Sequence, residues 1–267
     1  MKGPTLLLEN EDYWRTRMGL VFAGERVVVR GKDLFRELRD MRWMELLLYT
    51  ITGRRFNERQ LRLFEGIWTI CTSYPDPRIW NNRVAALAGT ARSTGTLALS
   101  AATAVSEAGI YGGRPILRAM DFLRRSLKSA QHGHALDSVV RSELQKFRAI
   151  PGYARPLVHD DERIRPLIQL AEELDYGNGV YLKHAFKIEE ILLTSGYRMK
   201  LNIAAVAAAL AADQGLSSDE YFRYLLPCFT AGMIACYIDA VDHEEGVLFP
   251  VRCTRINYTG RTSRPWE

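Results

Sequence analysis

The sequence predicts an almost all-helical (all-α) protein with one small β-hairpin near its N-terminus. Apolar residues recur at three- and four-residue spacing through most of the chain after residue 33. Residues 20–31 (LVFAGERVVVRG) instead read as two short β-prone runs turning at Gly24-Glu25. The composition is that of a globular chain: 267 residues, 47% hydrophobic and 25% charged, with 20 Gly and 10 Pro. That excludes a disordered tail, a collagen-like rod and a low-complexity scaffold.

Each element has its own warrant. Residues 33–50 place Leu34, Leu38, Met41 and Leu46-Leu47-Leu48 at helical spacing, and Gly53 supplies a stop. Asn57 is positioned to cap the next helix, whose inner face holds Leu61, Phe64, Ile67 and Trp68. Pro75 and Pro77 break the pattern. Residues 83–108, rich in Ala, Gly, Ser and Thr, read as one long helix ending at Gly109. Helices at 115–131 and 136–148 flank Gln131-His132-Gly133-His134, and 150–161 is a loop fixed by Pro151, Gly152 and Pro156. Helices follow at 163–174, 180–194, 201–213 and 218–239, the last opened by a Ser217/Glu220 capping box. The helix at 201–213 carries seven alanines, so it must approach another helix closely, in its own subunit or in a partner. This organises the chain as an N-terminal segment 1–32, a helical domain 33–262 with a possible small lobe at about 115–200, and a tail 263–267.

Lys and Arg number 36 against 31 Asp and Glu, a formal charge of +5. The basic residues are spread along the chain, so a site for an anionic small molecule is expected rather than a nucleic-acid partner. The longest wholly apolar run, 203–212, is ten residues against the roughly 18–20 of a membrane span. Glu9, Glu11 and Asp12 follow Leu6-Leu7-Leu8 directly, unlike a signal peptide. The expectation is a soluble cytoplasmic protein without a membrane partner. The four cysteines (Cys71, Cys228, Cys236, Cys253) show no metal-ligand spacing, and no metal is expected.

Four segments in a fixed order carry a resemblance: Gly109-Ile110-Tyr111-Gly112-Gly113, Pro151-Gly152-Tyr153-Ala154-Arg155 ahead of Asp161-Glu162-Arg163, Asn202-Ile203-Ala204, and Arg255-Ile256-Asn257-Tyr258-Thr259-Gly260. Together, over about residues 13–262, the chain resembles the citrate synthase superfamily, nearest in length to the short citryl-CoA lyases and the lyase domain of ATP-citrate lyase. The resemblance implies a helical homodimer, or a pairing with a paralogous subunit. It also implies a cleft where a coenzyme A thioester meets a carboxylate. In the family an Asp takes a proton from the acyl-CoA methyl, one His hydrogen-bonds the thioester oxygen, and a second His serves the partner's carbonyl or hydroxyl.

Set against that pattern, the usual acids and bases are replaced. Tyr111 stands where synthases have the first His, Ala154 at the second, and Ala204 at the enolising Asp. The Ala-Asp-His segment corresponds to 73–77 without a His, a carboxylate-binding Arg becomes Phe229, and another His becomes Cys236. By the resemblance, Arg163 matches a carboxylate-binding Arg, Arg155 matches the Arg after the second His and joins it as a substrate-binding candidate, Arg255 lies in the matching C-terminal segment, and Pro151, Gly152 and Tyr153 match the loop along CoA. Arginine forks suit carboxylate and phosphate oxygens; the alternative is that they pair with Asp160, Asp161 or Asp239.

Two further residues become catalytic candidates. Tyr111 can donate its phenol to a thioester oxygen, or simply pack. His159, beside Asp160-Asp161-Glu162, is a relocated acid/base or a loop residue bonded to Asp160. His132 and His134 form a solvated turn rather than a metal pair, His184 sits mid-helix, and His243 lies on an acidic, solvated face. The expected function is a diverged lyase- or synthase-like enzyme acting on an acyl thioester and a carboxylate, by C–C bond chemistry, decarboxylation or hydrolysis. The alternatives are an inactive pseudoenzyme subunit serving an active paralogue, and an unrelated helical interaction protein.

Overall fold

The computed structural model describes residues 4–110, 112–155, 160–245, 247 and 252–261. Candidates Tyr111 and His159 lie outside the described residues. By Cα proximity the chain divides into two units, Met1–Cys71 with Gly109–Leu226, and Thr72–Ala108 with Pro227–Glu267. Residues 115–200, where a small lobe is expected, fall within the first unit.

The first unit begins with a short exposed helix, α1 (Pro4–Asn10), and an antiparallel sheet of β1 (Gly19–Phe22), β2 (Arg26–Val29) and β3 (Lys32–Asp33) in that order. The expected hairpin is present and gains a third strand. Asp33 then redirects the chain. Its Oδ1 accepts the amides of Phe35 and Arg36 at 2.9 and 3.0 Å, an Asx-type turn that competes with helix. The helix expected from residue 33 therefore starts only at α2 (Trp43–Thr52), behind an extended Arg42. Gly53 ends it in the left-handed region at φ 73°. Asn57 and Gln60 exchange side-chain and backbone bonds at 2.9 Å to open α3 (Glu58–Cys71).

The remaining helices of this unit are α6 (Gly113–Gln131), α7 (Leu136–Phe147), α8 (Ile164–Glu173), α9 (Val180–Thr194), α10 (Ile203–Asp213) and α11 (Ser218–Leu225), α4 and α5 belonging to the second unit. The Ser217/Glu220 capping box opens α11 with both bonds made. The alanine-rich α10 is a core helix of its own chain. Nine of its eleven residues are buried, and it packs on α6, α9, α3 and α8. Small side chains let those neighbours come close to its backbone. An aromatic group fixes α3 to α11: Trp68 Nε1 donates to the Tyr224 carbonyl at 2.9 Å, and the Phe64 and Tyr224 rings meet edge-on at 5.2 Å.

The second unit holds α4 (Trp80–Thr90), α5 (Gly95–Ser106) and α12 (Thr230–Asp242), mutually packed around Ala85, Ala102 and Met233. The single helix expected over 83–108 is broken into two. Arg92 turns left-handed at φ 57°, and Thr94 caps the new start by accepting from the Leu97 amide. The run expected over 218–239 is likewise divided by a 3₁₀ turn, Leu226–Phe229, around Pro227.

A buried hydrogen bond links α6 to α9, with Ser126 Oγ 2.8 Å from His184 Nε2. Burial, and then the charge of Lys187, push the His184 imidazole down to about 4. The folded pKa lies below the unfolded one, so the unfolded chain binds the extra proton between pH about 6.5 and about 4. This stability is fully present above pH about 6.5 and is lost as pH falls through that window. The loss is about 1–3 kcal/mol after allowance for solvent screening. Urea melts across this range should show it, and His184→Gln should flatten the dependence; an unchanged slope in the variant refutes the assignment.

Candidate functional site

The loop at 151–155 is held against the start of α10 by backbone geometry that the sequence makes possible. Gly152 sits at φ 89°, and a Cβ there would lie 2.7 Å from the Ala205 Cβ. Only glycine combines that dihedral with so close an approach. Asn202 then clamps the loop. Its amide donates to the Gly152 carbonyl at 2.9 Å, and its Nδ2 donates to the Ala154 carbonyl at 2.8 Å. Its Oδ1 accepts the Ala204 amide at 3.0 Å and caps α10. The Ala154 amide reaches the Lys200 carbonyl at 2.7 Å, and Ala154 itself is left-handed at φ 69°.

Asp161 is the electrostatic centre, and its carboxylate is wholly buried. Arg163 meets it with two parallel bonds of 2.8 Å, and Arg155 Nη1 lies 3.7 Å from Oδ1. Its Oδ2 also accepts the first amide of α10, from Ile203, at 2.9 Å. Burial alone would raise this carboxyl, but the Arg163 guanidinium and the Ile203 amide outweigh it and hold the group below the usual carboxylate range. Arg155 additionally donates to Glu162 Oε2 at 2.6 Å and to the Asp160 carbonyl at 3.1 Å.

The retained arginines are thus brought together on one loop. Each is engaged by an acid of its own segment, the pairing alternative given by sequence. Tyr153 is only 5% exposed. Its hydroxyl donates to the Ala185 carbonyl at 2.9 Å, and burial with the nearby Glu189 carboxylate pushes its pKa well above 10. Its part in holding a ligand would therefore fall to its backbone, along with that of half-buried Pro151 and buried Gly152. Arg255 lies exposed on a 3₁₀ turn, Cys253–Arg255, of the second unit.

The replaced positions have ordinary local roles. Ala154 is a turn residue, Ala204 lies in the first turn of α10, Phe229 packs beside Met233, and Cys236 is buried with Ala86 and Ala240. At 73–77 the loop is held from below. Asn81 Nδ2 donates to Ser73 Oγ and Ser106 Oγ, each at 3.1 Å, and Asn82 donates to the Tyr74 and Asp76 carbonyls. His132 and His134 bond by Nδ1 to the carbonyls of Lys128 and Ser129 at the end of α6. Burial raises the Cys71 thiol to about 12, leaving it inert as a nucleophile at neutral pH.

Beside Asp161 opens a cavity of about 650 Å³ between α8 and α9. Ile164, Ile168, Phe186 and Leu201 give it apolar walls, and Lys200, Arg165, Glu172 and Glu189 give it charged ones. Lys200 pairs with Asp160 at 2.6 Å. Sequence reasoning missed three parts of this site: Asp161 as the hub, Asn202 as the clamp, and Glu189, which accepts the Leu201 amide at 2.7 Å. The Asp161/Arg163 spacing was the one available signal for the hub.

Searched by sequence, the chain matches no family model and no curated protein. Its structure is similar to citryl-CoA lyase from Hydrogenobacter thermophilus, with a TM-score of 0.82 at 19% identity over 95% of this chain and 97% of that one. ATP citrate lyase from Methanothrix soehngenii, in complex with citrate and coenzyme A, matches with a TM-score of 0.74 at 19% identity; 97% of this chain aligns with 44% of that one. Citrate synthase from Thermoplasma acidophilum, in complex with carboxymethyl coenzyme A and oxaloacetate, matches with a TM-score of 0.63 at 15% identity, over 84% of this chain and 59% of that one. The chain therefore has the helical fold shared by citryl-CoA lyase and citrate synthase.

Proposed function

We propose that this protein is a diverged enzyme of the citrate synthase fold that acts on an acyl-CoA, or another acyl thioester, together with a carboxylate substrate. The observation that carries the reading is the clamped 151–155 loop beside the 650 Å³ cavity, a volume suited to a small molecule. The similar structures named above include complexes with coenzyme A and citrate, and with carboxymethyl coenzyme A and oxaloacetate. In this reading the loop backbone lies along the thioester and Arg155 and Arg163 bind anionic groups, with Arg255 of the second unit a further anion-binding candidate. Tyr111 donates to the thioester oxygen and His159 moves the proton. Neither Ala154 nor Ala204 can exchange one, so the C–C chemistry, decarboxylation or hydrolysis proceeds without the usual pair.

A second reading, a pseudoenzyme subunit that completes the site of an active paralogue, is favoured by the engagement of Arg155 and Arg163 with Glu162 and Asp161. Calorimetry with CoA, acetyl-CoA and malonyl-CoA tests the enzyme reading. Saturable binding below millimolar ligand is expected, and no binding at millimolar concentration refutes it. Turnover of an acyl-CoA by the protein alone at about 1 s⁻¹ or faster selects the enzyme.

A cytoplasmic homodimer belongs to the same proposal. Leu97 and Ile238 of the second unit are exposed, as an oligomer surface requires. The stretch Ser218–Asp242 is apolar and long enough to cross a membrane, but it carries Pro227 and several charged side chains. A monomer in sedimentation, or membrane-bound material on fractionation, would remove this part.

A further inference from the structure

A second cavity, of about 440 Å³, lies on one face of the N-terminal sheet. The two-residue period of the strands builds it. Leu20 and Phe22 of β1 project to the same side as their cross-strand partners Val28 and Arg26 of β2, and Asp33 of β3 pairs with Val28. Thr16, Arg17 and Glu37 complete the wall. This face is uncovered, with Leu20 56% exposed and both arginines exposed.

The lining carries two arginines, Arg17 and Arg26, and two acids, Asp33 and Glu37. Its two acids are already satisfied. Asp33 caps the turn described above, and Glu37 takes Lys32 Nζ at 2.8 Å and the Asp33 amide at 2.8 Å. The Lys32 contact and then the Asp33 amide hold Glu37 ionised, below the usual carboxylate range. The two arginines are not satisfied in this way. Among the described residues Arg17 has no acid partner, and the Arg26 guanidinium stands 4.7 Å from the centre of the Phe22 ring. The cavity therefore presents two guanidinium forks above an apolar floor of Leu20, Phe22 and Val28.

We propose that this face of the sheet is a binding site for a phosphorylated small molecule with a flat apolar body, of the nucleotide class. Phosphate oxygens match the forks of Arg17 and Arg26, while the planar body covers Leu20 and Val28. The volume lies within the range of small-molecule sites. The site is separate from the cavity beside Asp161 and does not depend on the thioester reading.

The test is calorimetric titration of the full chain with ADP, pyrophosphate and adenosine, repeated on an Arg17→Gln/Arg26→Gln variant. ADP is expected to bind more tightly than either fragment, and the variant to lose about 10–100-fold in ADP affinity with an unchanged thermal melt. Absence of ADP saturation at millimolar concentration overturns the proposal. So does an ADP isotherm that is unmoved by the double substitution. CoA carries an ADP moiety of its own and can compete here, so the thioester reading is judged separately, by acyl-CoA turnover, whose absence leaves this proposal standing. If the double variant has a shifted melt, Arg26→Lys, which keeps the charge and loses the fork, must weaken ADP by itself for the proposal to stand.

Discussion

Replacing Asp161 with alanine is expected to lower the free energy of unfolding by about 3–5 kcal/mol, because it leaves Arg163 facing a buried site with no counter-charge. Three attachments fail at once: the paired bonds from Arg163, the contact with Arg155, and the amide of Ile203. Asp161→Asn keeps the shape and one acceptor, so it should cost less and still leave Arg163 without its negative partner. Denaturant melts at neutral pH measure both. A loss below about 1 kcal/mol in the alanine variant would mean that Asp161 is not the hub. The pH dependence has a fixed sign. The folded pKa is depressed, so the contribution is complete above the unfolded value near 3.9 and disappears as pH falls through the lower folded value. In wild type this loss follows, at more acid pH, the one assigned to His184.

Gly152→Val should be nearly as damaging, at about 2–5 kcal/mol. A left-handed dihedral costs a non-glycine residue about 1–2 kcal/mol, and overpacking adds about 1–3. A Cβ at 152 would stand 2.7 Å from the Ala205 Cβ and 3.2 Å from the Ala119 Cβ. The two contributions can be separated. Gly152→Ala combined with Ala205→Gly removes the closest contact and leaves the dihedral and the approach to the Ala119 Cβ. Measured against Ala205→Gly alone, the double variant should therefore show a smaller loss than Gly152→Ala shows against wild type. If Gly152→Val melts like wild type, the loop is not seated on α10 as described.

The sequence made the local punctuation visible more readily than the long-range pairing. Gly53, Asn57 and the Ser217/Glu220 box mark helix ends through bonds made within four residues, so they can be read in one dimension. The errors came where a side chain offered the backbone something other than helix. Asp33 delayed α2 by ten residues, and Thr94 divided a helix whose Ala-rich composition showed no break. The arginines of the candidate site were found as residues, but their engagement was not. The buried position of Asp161 depends on α10, some forty residues later in the chain. Tyr153 presents the same difficulty: its type suggests a ligand contact, while its ring lies in the core against Ala185. The alanines of α10 stated that something packs closely; only the fold identifies α6 and α9 as the neighbours.

The pairing of α3 with α11 also bears on how the protein is made. Trp68 and its acceptor carbonyl on Tyr224 are 156 residues apart, and the Thr72–Ala108 part of the second unit is synthesised between them. At ordinary rates of about 5–20 residues per second, a ribosome needs about 8–30 s to travel from one to the other. Through that interval the face of Leu61, Phe64 and Ile67 is already synthesised while its aromatic cover is not. The first unit must therefore close after translation has passed residue 224, which exposes the nascent chain to chaperones and to its own neighbours on the polysome.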